Sequence, residues 1–272
     1  MAMGIPARIF ATLLRIVPGR TRNWMWKWWY QRLARAHKRA DFRFMNYGYI
    51  DDKKLELLKE DEPNRLFIQL YNMNIRDVDL KGKEVAEIGC GRGGGASWIA
   101  KTYNPKKLVA FDFSKDAIEL ASNWYSSQDN LFFKFGNAED IPLEDKSMDV
   151  IYNVESSHCY GNVETFVKEV YRSLKIGGNF CWTDFRDKET MEKLHNIFLE
   201  VGFKIVSKKN ITKKVLDALD DINDTKVKGI SENVPVGMKK SFETFAGVQG
   251  TPVYEAFKSG NLHYHRYLMV KL

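Results

Sequence analysis

The chain has 272 residues, 44% hydrophobic and 28% charged, which is enough apolar material for a packed domain and too much for a disordered one. No run nears the roughly 18 uninterrupted apolar residues of an ordinary membrane-spanning helix, so that class is excluded. The net charge of +7 is concentrated in residues 1–40, which hold nine Lys or Arg and no acid. The remainder is close to neutral, so the body is not a nucleic-acid binder by bulk charge. Cys90, Cys159 and Cys181 lack CxxC or Cys/His metal spacing and read as reduced thiols of a cytoplasmic protein with no metal.

In the leading segment Ile5, Ile9, Leu13 and Ile16 recur at helical spacing until Pro18-Gly19 breaks the pattern. Trp24-Met25-Trp26-Lys27-Trp28-Trp29-Tyr30 then runs into the basic stretch ending at Lys38-Arg39. Indole rings beside cations suit a membrane interface, so residues 1–40 are expected to form an amphipathic arm in peripheral contact with a membrane. Packing of the same rings onto the domain, or an Arg-rich targeting peptide, would use the same composition. Residues 41–272 are expected to be the catalytic domain.

From about Asp77 strands alternate with helices. Strands are predicted at Lys83–Gly89, Lys107–Asp112, Leu131–Phe135, Met148–Val154, Asn179–Asp184, Phe203–Lys208 and His263–Leu272. Helices are predicted at Ala96–Tyr103, Lys115–Tyr125, Phe166–Leu174 and Glu189–Val201, the third stopped by Gly177-Gly178. A helical stretch over 212–245 reads as part of a cap insert spanning about 210–260. The alternation predicts an α/β fold: a Rossmann-like, seven-stranded, mostly parallel sheet with helices on both faces.

The central motif is Glu87-Ile-Gly89-Cys-Gly91-Arg-Gly93-Gly94-Gly95, glycines between a strand and a helix that let the backbone approach a ligand closely. Gly89, Gly91 and Gly94 also satisfy the GxGxxG of dinucleotide sites. Glu87 at the strand's end favours a cofactor with an ammonium and a sulfonium over a pyrophosphate. Asp112, ending the next strand, can accept both ribose hydroxyls, in either kind of site. The loop Gly136-Asn137-Ala138-Glu139-Asp140-Ile141-Pro142 would lie where an adenine binds, with Asn137 accepting from its amine and Phe113 or Ile141 against its ring. Asn137 also suits a plain turn. Asn153, near the end of the fourth strand, joins the candidate cofactor-binding set.

The ordered motifs EIGCGRGG, VAFDFS, GNAEDIP with MDVI, and SLKIGG resemble those of class I S-adenosylmethionine-dependent methyltransferases over about residues 80–185. WKWWY, DEPNR, VESSHCY, FAGVQGT and GNLHYHRY extend the likeness, from about Trp24 to the C-terminus, to the phthiotriol/phenolphthiotriol dimycocerosate O-methyltransferases. It is looser around 210–240. The resemblance implies S-adenosyl-L-methionine as cofactor and a hydrophobic lipid or polyketide-like alcohol as acceptor. Asn46-Tyr47-Gly48-Tyr49 resembles an aromatic motif that covers the cofactor in related enzymes. Tyr47 and Tyr49 could therefore attract the sulfonium through their ring faces or simply pack in the core.

Methyl transfer to an alcohol needs alignment and a base that takes the hydroxyl proton. His158, just after the fourth strand, is the candidate base, with Asp184 at the end of the fifth strand to orient it; a histidine at this position is used in related O-methyltransferases. Glu155 can orient backbone or tyrosine hydroxyls, or act in chemistry. His37 and His195 read as solvated, whereas one of His263 and His265 could reach the substrate cavity. Tyr171 and Lys175 mimic the YxxxK of short-chain dehydrogenases but sit at core spacing. Trp24–Tyr30, Phe42, Phe44, Phe242, Phe245, Phe257 and Met238 could line a greasy cap. Rival readings are a sterol or terpenoid C-methyltransferase, a phospholipid-headgroup N-methyltransferase, an NAD-dependent reductase and a non-catalytic S-adenosylmethionine-binding protein.

Overall fold

The computed structural model describes residues 43–272, apart from Lys54, Pro235, Gly237 and Met238. The basic arm, and the cap roles expected of Trp24–Tyr30, Phe42 and Met238, lie outside the described residues. The strands are β1 Glu84–Ile88, β2 Lys107–Asp112, β3 Leu131–Phe135, β4 Met148–Val154, β5 Leu174–Arg186, β6 Phe203–Asn210 and β7 His263–Lys271. Nine α-helices lie among the described residues: α1 Arg65–Ile75, α2 Gly94–Tyr103, α3 Lys115–Trp124, α4 Val163–Ser173, α5 Lys188–Val201, α6 Thr212–Asp221, α7 Asn223–Asn233, α8 Lys239–Phe245 and α9 Pro252–Lys258.

One seven-stranded sheet runs β3-β2-β1-β4-β5-β7-β6. The pairs from β3 through β5 are parallel, and β7 slots antiparallel between β5 and β6. Strands covered on both faces read as near-continuous apolar runs, unbroken over Leu108–Phe111 and interrupted over Val85–Ile88 only by the buried Glu87. Because side chains alternate, the runs feed two cores. Val85, Leu108, Ala110, Val150 and Tyr152 pack with α1, α2 and α6 on one face. Ala86, Ile88, Val109, Phe111 and Ile151 pack with α4 and α5 on the other. A third, small cluster (Ile230, Val234, Phe242 and Val248, with Met45 and Phe245 against it) sits among α7, α8 and the segment before α1.

The structure corrects the expected glycine stop. α4 ends at Ser173, where Leu174 is already extended, and Gly177 (φ 77°) lies inside the irregular start of β5. A register shift between Met148 and Val150 accommodates it. The carbonyls of Tyr171 and Leu174 are met instead by Lys271 Nζ, at 2.5 and 2.8 Å.

Candidate active site

The glycine loop opens where β1 ends. Gly89 has φ 80°, and a Cβ there would come within 2.2 Å of Ser156 Oγ and 2.7 Å of the Tyr160 hydroxyl. Only glycine allows the loop to lie this close to the turn after β4. Gly91 and Gly93 also have positive φ. Asp112, at the end of β2, pins the loop: its carboxylate accepts the N–H of Gly91 and of Ser114, each at 2.8 Å. Burial raises the Asp112 pKa to about 6, against those backbone bonds, which favour the charged form. Each oxygen keeps a further lone pair that could take a hydroxyl.

Glu87 is fully buried beneath the loop. One oxygen accepts from the Tyr71 hydroxyl and the other from Tyr152, each at 3.0 Å. Tyr71 reaches it because Gly95 leaves room; a Cβ at that glycine would fall 2.0 Å from the ring. Burial pushes the Glu87 pKa to about 8, although both hydroxyls favour the carboxylate. Asn153 is also fully buried. Its amide donates to Ile88 O and Ser156 Oγ, each at 2.7 Å, while its own carbonyl oxygen lacks a hydrogen-bond partner.

The next loop along the carboxyl edge carries Asn137 exposed, with its side-chain oxygen accepting the Glu139 N–H at 3.2 Å. Ala138 is half-buried between them. The Glu139 carboxylate accepts from Gly161 and Asn162, at 2.8 and 3.1 Å, tying this loop to the start of α4. Phe113 meets Phe135 with ring centroids 5.3 Å apart, and Ile141 is buried.

His158 stands in a 3-10 turn, Ser157–Cys159, just past β4. Its Nδ1 lies 2.9 Å from one oxygen of Asp184, and its backbone N–H donates to the other oxygen, also at 2.9 Å. The fully buried Asp184 further accepts from Ser157 Oγ at 2.7 Å and from Phe185 N–H at 2.8 Å, with the Arg186 guanidinium 3.2 Å away. Burial works against this carboxylate, but the charges of His158 and Arg186 outweigh it and hold its pKa below the usual carboxylate range. The His158 pKa is correspondingly raised well above its ordinary value. Burial opposes protonation, and the neighbouring Cys159 sulfur and Asp184 overcome it. The imidazole lies against Phe185, centroids 4.5 Å apart.

A methyltransferase-domain family model matches residues 86–182, the stretch carrying the glycine loop, Asp112 and His158. Over 267 residues the chain is 32% identical to a phthiotriol/phenolphthiotriol dimycocerosates methyltransferase of Mycobacterium tuberculosis, covering 97% of this chain and 98% of that protein. This chain belongs to the class I S-adenosylmethionine-dependent methyltransferases. A fatty-acid O-methyltransferase of Mycolicibacterium smegmatis is 31% identical, covering 89% of this chain and 88% of that one. Among solved structures, a geranyl diphosphate C-methyltransferase from Streptomyces coelicolor superposes with a TM-score of 0.64 at 14% identity, over 89% of this chain and 98% of that one; it shares the fold. The ambiguity of the GxGxxG match is thereby removed: the cofactor of this methyltransferase is S-adenosylmethionine. A glycine loop pinned by a carboxylate with spare lone pairs, above a buried acid, fits that cofactor.

The methyltransferase brings Tyr47, but not Tyr49, to the reactive edge. Tyr47 is 6% exposed, with its ring 5.6 Å from Phe185 and nearly parallel to it. Tyr49 turns into the packing toward α1, its N–H donating to Leu66 O at 3.0 Å. Its charged neighbours are Asp51, Arg76, Lys214 and Asp52, none of them at that edge. His263 and His265 stack along β7 toward Tyr267. Burial lowers the His265 pKa to about 4. Tyr171 packs edge-on against Phe203, and Lys175 pairs with Asp149 at 2.8 Å, so they form no dehydrogenase pair. Among the described residues no cluster could hold a metal ion.

Sequence reasoning missed Ser157, Phe185, Arg186 and Tyr264. Ser157 had a local signal, being beside His158, as did Phe185 and Arg186, which follow Asp184; Tyr264 becomes a neighbour only through the pairing of β5 with β7.

Proposed function

We propose that the enzyme methylates a hydroxyl of a hydrophobic, lipid or polyketide-like acceptor, with His158 as base and Asp184 as the group that orients it. The carrying observation is the bond that His158 Nδ1 makes to the Asp184 carboxylate, which accepts it, at 2.9 Å. It fixes the imidazole's orientation and leaves Nε2 as the nitrogen that takes a proton. Bound S-adenosylmethionine supplies an electrophilic methyl group. The chain's own work is to place the acceptor oxygen in line with it and remove the proton as the oxygen becomes acidic. Glu87 would offer its carboxyl to the cofactor's ammonium, whose charge would draw off the proton that burial favours, Asp112 would accept ribose hydroxyls, and Asn137 and Phe113 would meet the adenine. Gly89, Gly91, Gly93, Ala138, Glu139 and Asn153 would shape the crevice, and Tyr47, without Tyr49, would cover the sulfonium.

Lipid acceptors are supported by the names of the relatives, a phthiotriol/phenolphthiotriol dimycocerosates methyltransferase and a fatty-acid O-methyltransferase. The aromatic wall of Tyr47, Phe185 and Phe257 suits an apolar chain. A cap over about 210–260 belongs to this reading, as does membrane contact through residues 1–40. No helix among the described residues is long and apolar enough to cross a membrane.

A second reading takes a carboxylic acid as acceptor. The raised pKa of His158 favours it, because an imidazolium beside the reaction would hold a carboxylate that needs no base. The enzyme should be incubated with methyl-labelled S-adenosylmethionine and either octadecan-1-ol or octadecanoic acid in micelles. Labelled ether supports the alcohol reading; labelled ester alone overturns it in favour of the acid.

A further inference from the structure

Three non-glycine residues among those described have positive φ: Asn104, Lys146 and Glu155. Asn104 closes α2 and Lys146 sits in the turn before β4, where such a conformation is ordinary. Glu155, at φ 48°, stands instead at the reactive edge just past β4. The conformation is costly for a residue with a side chain, and here it is held from several sides. The backbone N–H of Glu155 donates to Thr183 O on β5 at 2.8 Å. Its Oε2 accepts two further bonds, from the Tyr47 N–H at 2.9 Å and from the Tyr264 hydroxyl at 2.7 Å.

Those two donors come from opposite ends of the described chain. Tyr47 lies in the extended segment before α1, which also meets the cofactor loop where Gly94 N–H donates to Arg43 O at 3.3 Å. Tyr264 lies on β7. Between them the rings form a wall: Tyr47 on Phe185, Phe257 edge-on to both, and Phe185 against His158. Lys226 of α7 closes the outer side, its Nζ 5.6 Å from the Tyr47 ring centroid.

We propose that Glu155 is a positioning residue: its carboxylate fastens Tyr47 to Tyr264 and thereby seats the Tyr47–Phe185 ring pair that packs against the His158 imidazole, whose ring nitrogen Asp184 holds. The role rests on the reading of His158 as the base. A glycine would relieve the backbone at this position, so retaining glutamate there is explained by the side chain's bonds and not by the turn.

The test compares Glu155→Gly and Glu155→Gln with the wild-type chain. One readout is hydrogen exchange at the Tyr47 amide; the other is turnover with methyl-labelled S-adenosylmethionine and the octadecanol and octadecanoic acid micelles. Glu155→Gly should speed Tyr47 exchange and lower kcat, each at least tenfold. Glu155→Gln should restore both to within about threefold, since an amide oxygen accepts the same two bonds. Unchanged Tyr47 exchange in Glu155→Gly overturns the proposal. So does Glu155→Gln turnover as low as that of Glu155→Gly, which would give the carboxylate a chemical role. The exchange readout is independent of the acceptor and of His158. A His158→Ala enzyme with full turnover would therefore remove the base reading while the Tyr47 bond is still judged on its own.

Discussion

His158 and Asp184 are joined twice, once through Nδ1 and once through the backbone N–H of His158, each at 2.9 Å. The double contact means that neither the ring nor the turn carrying it can rotate without breaking a bond to a buried carboxylate. The orientation is therefore set before any substrate arrives, the main lever a protein has over an in-line displacement.

The pairing has a pH consequence. Against the effect of burial, the Cys159 sulfur and Asp184 together raise the His158 pKa well above its ordinary 6.5, and a base works only when deprotonated. Activity on an alcohol should therefore climb with pH along a limb displaced upward from the usual imidazole range. Asp184→Asn should move that limb down and lower kcat at least tenfold. A limb that stays in place in the variant would separate the titrating group from this pair.

Glu87 makes a prediction about stability. Its native pKa of about 8 lies above the ordinary 4.5, so the folded protein holds this proton more tightly than the unfolded chain. That contribution is fully present below pH 4.5 and is lost as the pH rises through about 8. Glu87→Gln cannot titrate, so its melting temperature relative to wild type should rise between pH 5 and pH 8. The same variant should bind S-adenosylhomocysteine more weakly, having lost the charge offered to the ammonium. A melting-temperature difference that is flat with pH would contradict the assignment.

Asp112 ties two backbone amides and offers its remaining lone pairs to the crevice. Asp112→Ala should weaken S-adenosylhomocysteine binding at least tenfold by calorimetry, with a smaller loss of thermal stability. Wild-type affinity would remove it from the cofactor site.

Strand positions were legible because a parallel sheet covered on both faces demands apolar runs such as Leu108–Phe111, and these stand out between charged helices. His158 and Asp184 were legible for a related reason: both lie at carboxyl ends of adjacent strands, where this architecture puts its chemistry. Helix α1 was not. Its sequence RLFIQLYNMNI is buried from Ile68 onward, Gln69, Asn72 and Asn74 included, so its polar positions do not mark an outer face. The contacts beneath the glycine loop were equally hidden. Glu87 reads as an acid at a strand's end, and nothing local says that Tyr71 and Tyr152 will cover it. The Glu155 bonds span 108 and 109 positions, a separation no local pattern encodes.

Membrane contact is proposed for residues 1–40. Deleting them should reduce co-sedimentation with anionic-lipid vesicles at low salt, the loss shrinking as salt is raised. Unaltered pelleting would place the contact elsewhere.

The most direct measurement is single-turnover methyl transfer from labelled S-adenosylmethionine to octadecan-1-ol by the His158→Ala enzyme, alongside calorimetry of the same protein with S-adenosylhomocysteine. The account predicts at least tenfold slower transfer at nearly unchanged cofactor affinity. Transfer at the wild-type rate would contradict it.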